Sequence, residues 1–300
     1  MTLWIPFTLA AASFQTVRFM LQKMLSMGKL SAAGATFSRF VYSAPLIGIA
    51  LWVYVELTGQ PIPTLPWSFF LYATLGGLAQ ILATVCVVLL FQARNFAVGI
   101  TFKKTEVILA VLVGLVVLGE GVSWAGLGAI LLGVVGVLLL SKTPGIDGRW
   151  WQHFGSRAVG LGLASGLLFA ISAVNYRGAT LQLDASDPIL RAGVTLAVVV
   201  CWQTLVMALW LIVKDPAQIA AVWRNRSVAI WVGLTSMGGS FCWFVAFALQ
   251  TAAYVKALGQ VELVLSLLAS VLFFKETITG REIAGMTLLV ASILALILVI

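Results

Sequence analysis

Two stretches decide how this chain is read: KKTEVILAVLVGLVVLGE at residues 103–120, and GQVELVLSLLASVLFFKE at residues 259–276. Each places a glutamate early in an apolar run and another fourteen residues later, Glu106 with Glu120 and Glu262 with Glu276. Each is followed, after a very short turn, by one more apolar segment. Unrelated apolar helices are alike in composition, but nothing obliges them to share charged residues at equal spacing. The two stretches therefore read as corresponding parts of two copies of one unit. A weaker match upstream sets SRF at Ser38–Phe40 against LRA at Leu190–Ala192.

Composition says what kind of unit this is. Of 300 residues, 61% are hydrophobic and only 9% charged, with a mean hydropathy of +1.08. Soluble domains are about one-quarter charged, so a soluble enzyme, a disulfide-built secreted scaffold and a disordered regulator are excluded. Crossing a bilayer takes about 20 apolar residues in a helix. Ten such spans can be drawn, at about 3–24, 33–57, 67–93, 97–118 and 122–141, then 158–183, 187–213, 227–250, 252–274 and 281–300. The expected fold is all-α and integral to the membrane. Residues 1–141 form the first five-helix repeat, 142–157 (KTPGIDGRWWQHFGSR) a central polar loop, and 158–300 the second repeat. Five is odd, so the copies lie in opposite orientations, an arrangement common in transporters with a midplane site.

Eleven Lys and Arg residues fall in loops after odd-numbered spans and none in loops after even-numbered ones. Positive charge stays on the cytoplasmic side, which places both termini outside. Trp52, Trp67, Trp124, Trp210 and Trp223 lie near span ends, as an interfacial belt would. The net charge of +8 forms no basic run with interleaved aromatics, so no nucleic-acid partner is expected. Cys86, Cys201 and Cys242 sit inside apolar spans without metal-ligand spacing and read as small buried hydrophobes. No metal or cofactor is expected. The N-terminus has neither a basic n-region nor a small-residue cleavage site, so no removable signal peptide is expected.

The five-plus-five pattern resembles the drug/metabolite transporter superfamily, in particular its EamA-like branch. The residues that carry the likeness are Arg39 in FSRF, Leu118–Glu120 (LGE) followed by WAGLGAILLGVVGV, and Phe274–Glu276 (FKE) followed by GREIAGMTLLVASI. The resemblance implies a transporter of small metabolites, often an exporter, in the cytoplasmic (inner) membrane. It implies cytoplasmic termini, opposite to the charge count.

Ionisable residues inside spans are expensive and usually face a cavity or one another. Here they are Arg18, Arg39, Lys103, Lys104, Glu106, Arg177, Arg191, Lys256 and Glu262. Four cations (Arg18, Arg39, Lys103, Lys104) fall toward the cytoplasmic side, and Arg177, Arg191 and Lys256 toward the other. Gln15, Arg18 and Gln22 make one polar stripe on the first span. Lys103 with Glu106 is spaced to pair on one helix face, as are Lys256 with Gln260 and Glu262 with Ser266. Candidate substrate-binding residues are Gln15, Arg18, Arg39, Lys103, Tyr176, Arg177, Trp243, Tyr254, Lys256 and Gln260. Glu106 and Glu262 are either proton carriers or carboxylates locked to neighbouring cations. Asn175 and Gln250 read as hydrogen-bonding substrate or as helix glue. Trp202, Phe241 and Phe244 read, with Trp243, as an aromatic wall or as core packing. Glu120 and Glu276 read as caps that pair with nearby cations.

The cation surplus favours a carboxylate- or phosphate-bearing substrate, such as an amino acid, exported by secondary transport with protons as the candidate coupling ion. No phosphate-binding GxxxxGK[ST] loop is present for ATP-driven pumping. An exporter of organic cations using Glu106 and Glu262 is the alternative. A membrane-embedded lipid-modifying enzyme and a non-transporting assembly protein are the alternatives of another class. No dispersed set of these carboxylates makes a catalytic cluster, so an enzyme is not expected. The expected partners are a small metabolite and the bilayer, and the chain acts as a monomer or homodimer.

Overall fold

The computed structural model describes residues 3–27, 30–92, 102–140, 157–265 and 279–299. The central loop, His153, Ser266 and Glu276 lie outside the described residues. Among the described residues all regular structure is helical. The helices are α1 (Trp4–Ser26), α2 (Ala32–Val41), α3 (Ser43–Thr58), α4 (Trp67–Gln92), α5 (Glu106–Leu118) and α6 (Trp124–Leu140). There follow α7 (Arg157–Leu181), α8 (Pro188–Lys214), α9 (Ala217–Arg224), α10 (Arg226–Leu249), α11 (Ala252–Leu258) and α12 (Gly280–Val299).

The chain is turned inside out relative to a soluble protein. Leu57, Val116 and Leu298 are more than four-fifths exposed, whereas Arg18, Arg39, Lys103, Lys104 and Glu106 are buried. Such a surface suits hydrocarbon, which cannot satisfy polar groups. Six described helices, counting α2 and α3 together as Ala32–Thr58, are long and apolar enough to cross a membrane. The shorter α5 and α6 are equally apolar. Helix α1 has the length, but its polar stripe dilutes it. Cys201 is exposed on this apolar surface, unlike the buried Cys242, and so is not the interior residue expected.

Three of the expected spans are interrupted. The span at 33–57 breaks at Tyr42, where α2 hands over to α3. There the Ser43 hydroxyl lies 2.6 Å from the Arg39 carbonyl and 2.8 Å from that of Gly233 on α10, taking up backbone acceptors at the break. The other two interruptions lie one or two residues before a glutamate. Lys104 and Thr105 form a turn ahead of Glu106, and Gly259 and Gln260 a turn ahead of Glu262. In both, an amide reaches a carbonyl three residues back, Thr105 to Phe102 and Gln260 to Ala257. The expected span 252–274 therefore does not begin as one continuous helix: α11 ends at Leu258, and helix resumes at Val261 after this turn.

Helix ends follow local chemistry. Gly119 closes α5 in the left-handed region at φ 67°, where a side chain would be strained, and its amide bonds to Leu115. Asp187 caps α8, accepting from the Ile189 amide. Burial would raise that carboxyl, but hydrogen bonds from Tyr54, the Ile189 amide and Gln60 outweigh it and hold it below its ordinary value.

The most extensive contacts join α4 to α7, α6 to α12 and α1 to α10, with α5 on α7, α3 on α8 and α10 on α8. At the α6–α12 crossing the two backbones come close. A Cβ on Gly136 would stand 2.8 Å from the Leu289 amide nitrogen, and one on Gly285 would stand 2.9 Å from the Gly136 carbonyl. Small residues let two backbones touch there.

Candidate functional site

Helices α1, α2, α4, α7, α10 and α11 enclose one small cavity of about 30 Å³ deep among the helices. The polar stripe of α1 turns inward and brings Gln15 and Arg18 to it. Helix α2 brings Arg39, and α11 brings Lys256 from the start of the interrupted span. Aromatic rings of Phe169, Trp243, Phe244 and Phe247 make the apolar wall. Gln80, Ser172, Tyr176 and Ser240 add hydrogen-bonding groups.

The three cations are held differently. Arg39 is 4% exposed and meets no carboxylate within ion-pair distance among the described residues. Its three nitrogens donate instead to the hydroxyls of Ser236 (2.8 Å), Thr84 (3.0 Å) and Ser240 (3.3 Å). Hydroxyls orient a guanidinium without neutralising it. Arg18 is 3% exposed, donates to Gln22 at 2.8 Å, and lies 4.4 Å from the centre of the Phe19 ring. Among the described residues it makes no other hydrogen bond. Lys256 sits 4.7 Å from the Trp243 ring centre, with Phe169 and Phe247 at 5.8 and 5.9 Å, a cation–π enclosure.

Lys256 is also the link to a buried ionic chain. Its ammonium lies 2.6 Å from Glu106, and the same carboxylate is 3.5 Å from Lys103. Glu262 accepts from Gln15 at 2.6 Å and lies 3.8 Å from Lys104. Arg18, Arg39, Lys103, Lys104 and Lys256 thus face two carboxylates, Glu106 and Glu262, a surplus of three positive charges. Neither glutamate lines the cavity. Both are engaged by lysines, Glu106 by Lys103 and Lys256 and Glu262 by Lys104.

Several expectations need correction. Arg177 is not at the cavity. It grips Glu120 through two nitrogens (3.0 and 2.8 Å) and donates to the Phe247 carbonyl at 2.7 Å, tying α7 to the turn after α5 and to α10. Tyr254 is also elsewhere, its hydroxyl accepting from the Ser123 amide at 3.0 Å. Gln260 contacts the Lys256 carbonyl rather than its ammonium, and lines a separate small space with Lys104 and Ser292. Lys103 faces a neighbouring, more apolar recess of about 270 Å³ with Phe19, Lys104 and Glu262. Lys256 does not belong to a separate group of outer cations, because its ion pair with Glu106 joins it to Lys103. Phe241 turns away into a lateral apolar groove, and Trp202 packs against Gly77. Asn175 donates to its own helix, to the Ile171 carbonyl, and Gln250 accepts from the next amide, that of Thr251.

Sequence reasoning missed Gln80, which accepts from the Tyr176 hydroxyl at 3.0 Å and from Gln203 at 2.9 Å. A glutamine inside an apolar span was the available signal. Phe169, Phe247, Ser172 and Ser240 gave none, since aromatic and hydroxyl residues recur throughout the spans.

No family model matches the chain, and no curated protein matches it. Twenty-nine chains of solved structures match its fold. One of them, described only as a protein crystal structure, is 17% identical, with a TM-score of 0.69 over 97% of this chain and 99% of that chain. At that identity the likeness is one of fold.

Proposed function

We propose that the protein is a secondary transporter that moves a small organic anion, a carboxylate with an apolar body such as an amino acid, across the cytoplasmic membrane, and that it works as an exporter. The observation that carries this reading is the convergence of Arg18, Arg39 and Lys256 with four aromatic rings on one buried cavity, with no carboxylate lining it. Arginine and lysine engage carboxylates through charge-assisted hydrogen bonds, and the rings suit an apolar body. At about 30 Å³ the space has room for roughly one or two waters, so the substrate is accommodated when the cavity widens during the transport cycle. An organic-cation exporter would need Glu106 or Glu262 at the cavity, and both are paired with lysines instead.

Inverted five-span repeats support the transport part of the reading. Exchange of the halves turns the α4–α7 contact into α10–α1, and α5–α7 into α11–α1, while α6–α12 maps onto itself. Each of these pairs is in contact. The interruptions before Glu106 and Glu262 also correspond, and broken helices beside a midplane site are a recurrent feature of alternating-access transporters.

Counterflow in proteoliposomes tests the proposal. Vesicles preloaded with one unlabelled amino acid or organic acid are diluted into the labelled compound, across a panel. At least one carboxylate is expected to accumulate transiently. Arg39→Gln should weaken its half-saturation by roughly 10- to 100-fold, the range expected when a charge-assisted hydrogen bond is lost. Counterflow of organic cations alone, unaffected by Arg39→Gln, would refute the substrate class.

A further inference from the structure

The short helix α9 has no counterpart after the corresponding span of the first half, where residues 59–66 carry no helix. It packs along α2 and is fastened to the start of that helix by Gln218, whose side-chain oxygen accepts from the Ser31 amide at 2.9 Å. Between α9 and the break runs an open crevice of about 680 Å³, lined by Val41, Tyr42, Pro45, Ile219 and Trp223 among others. Its lining is almost wholly apolar. Its side-chain polar atoms are the Trp223 indole nitrogen and the Tyr42 hydroxyl, and the latter is buried and has no hydrogen-bond partner among the described residues.

Basic residues flank the lining segment 216–223 in sequence. Lys214 precedes it and Arg224 and Arg226 follow it; all three are exposed, against one acid, Asp215, and none is in an ion pair with a described carboxylate. Arg226 is drawn to the crevice edge by Trp223, with its guanidinium 5.9 Å from the ring centre. It is also close enough to the Tyr42 hydroxyl to interact with it electrostatically. Trp223 is 63% exposed, and an exposed indole of a membrane protein is suited to bridge hydrocarbon and headgroups. By the charge rule this end of the helices faces the cytoplasmic leaflet, whose anionic lipids attract basic residues near the surface.

We propose that this crevice is a binding site for an anionic phospholipid, with the headgroup phosphate held by Arg224 and Arg226 and one acyl chain laid along Val41, Ile219 and Trp223. Basic charge alone would gather lipid loosely. The apolar crevice beneath it gives one chain a fixed place, so occupancy is saturable and depends on both parts.

Thermal unfolding of the purified full chain in detergent tests this, with dioleoylphosphatidylglycerol, dioleoylphosphatidylcholine or inorganic phosphate added. The wild type should gain several degrees more from phosphatidylglycerol than from phosphatidylcholine, saturably, since a ligand of the folded state raises its apparent stability. Arg224→Gln/Arg226→Gln should lose that excess while melting like wild type without lipid. Ala220→Trp, which fills the crevice and leaves the charges in place, should lose it too. Arg157→Gln, a cation elsewhere, should keep it. Equal responses to the two lipids, an excess that survives in the double variant or in Ala220→Trp, an excess lost equally in Arg157→Gln, or an equal effect from inorganic phosphate would overturn the proposal.

Discussion

Glu106→Gln should be among the most destabilising single substitutions in the chain. The carboxylate stands between two buried ammonium groups, 2.6 Å from Lys256 and 3.5 Å from Lys103. A glutamine keeps the shape and removes the charge, leaving two lysines facing each other in a low-dielectric interior. Removing one partner of a buried pair typically costs about 3–5 kcal/mol, because the other charge is stranded. Here one carboxylate serves two cations, so the upper part of that range is expected. A large fall in melting temperature should follow, and Glu106→Gln/Lys256→Gln should recover part of it by removing one stranded charge. A melting temperature unchanged by Glu106→Gln would mean that the lysines do not depend on this carboxylate. By contrast, Glu262→Gln keeps the Gln15 contact and disturbs a longer pair of 3.8 Å with Lys104, so its effect should be smaller.

Gly285→Val should disrupt the structure by a different route. The Cβ it introduces would lie 2.9 Å from the Gly136 carbonyl and 3.0 Å from the Leu140 amide nitrogen. Those atoms are backbone and cannot rotate away, so α6 and α12 must separate along their crossing. Overpacking usually costs about 1–3 kcal/mol where side chains can give way; here the cost should exceed it, and folded protein should be recovered poorly from membranes. Gly128→Val on the partner helix α6 meets nothing within 4 Å and serves as the control. Equal recovery of the two variants would show that the crossing is looser than the geometry states.

The membrane class and the helical segments were legible in the sequence because both depend on local composition, which a bilayer reads almost directly. The α1 stripe was legible for the same reason: Gln15, Arg18 and Gln22 recur on one helix face, and polar groups cannot face lipid. The Lys103–Glu106 pair followed from helix spacing. What spacing could not supply was any contact between spans. Lys256 was matched to Gln260, its neighbour along the chain, yet its charge partner is Glu106, 150 positions earlier. Arg177 carried the same signature as Arg39, a lone arginine in an apolar span, yet one is neutralised by Glu120 and the other held by hydroxyls. Distinguishing a structural arginine from a cavity arginine requires knowing what lies across the helix interface. The interruptions before Glu106 and Glu262 were also hidden, since an apolar run reads as one continuous span unless glycine or proline marks the break. Gly259 marks one; Lys104-Thr105 gives no such sign.

Binding of an organic anion in the cavity of Arg18, Arg39 and Lys256 is tested most directly by the melting temperature of the purified protein against a panel of amino acids, organic acids, sugar phosphates and organic cations, in wild type, Arg18→Gln and Glu262→Gln. One or more anions should stabilise the wild type, and Arg18→Gln should abolish the shift. Stabilisation by organic cations alone, kept in Arg18→Gln and lost in Glu262→Gln, would contradict it.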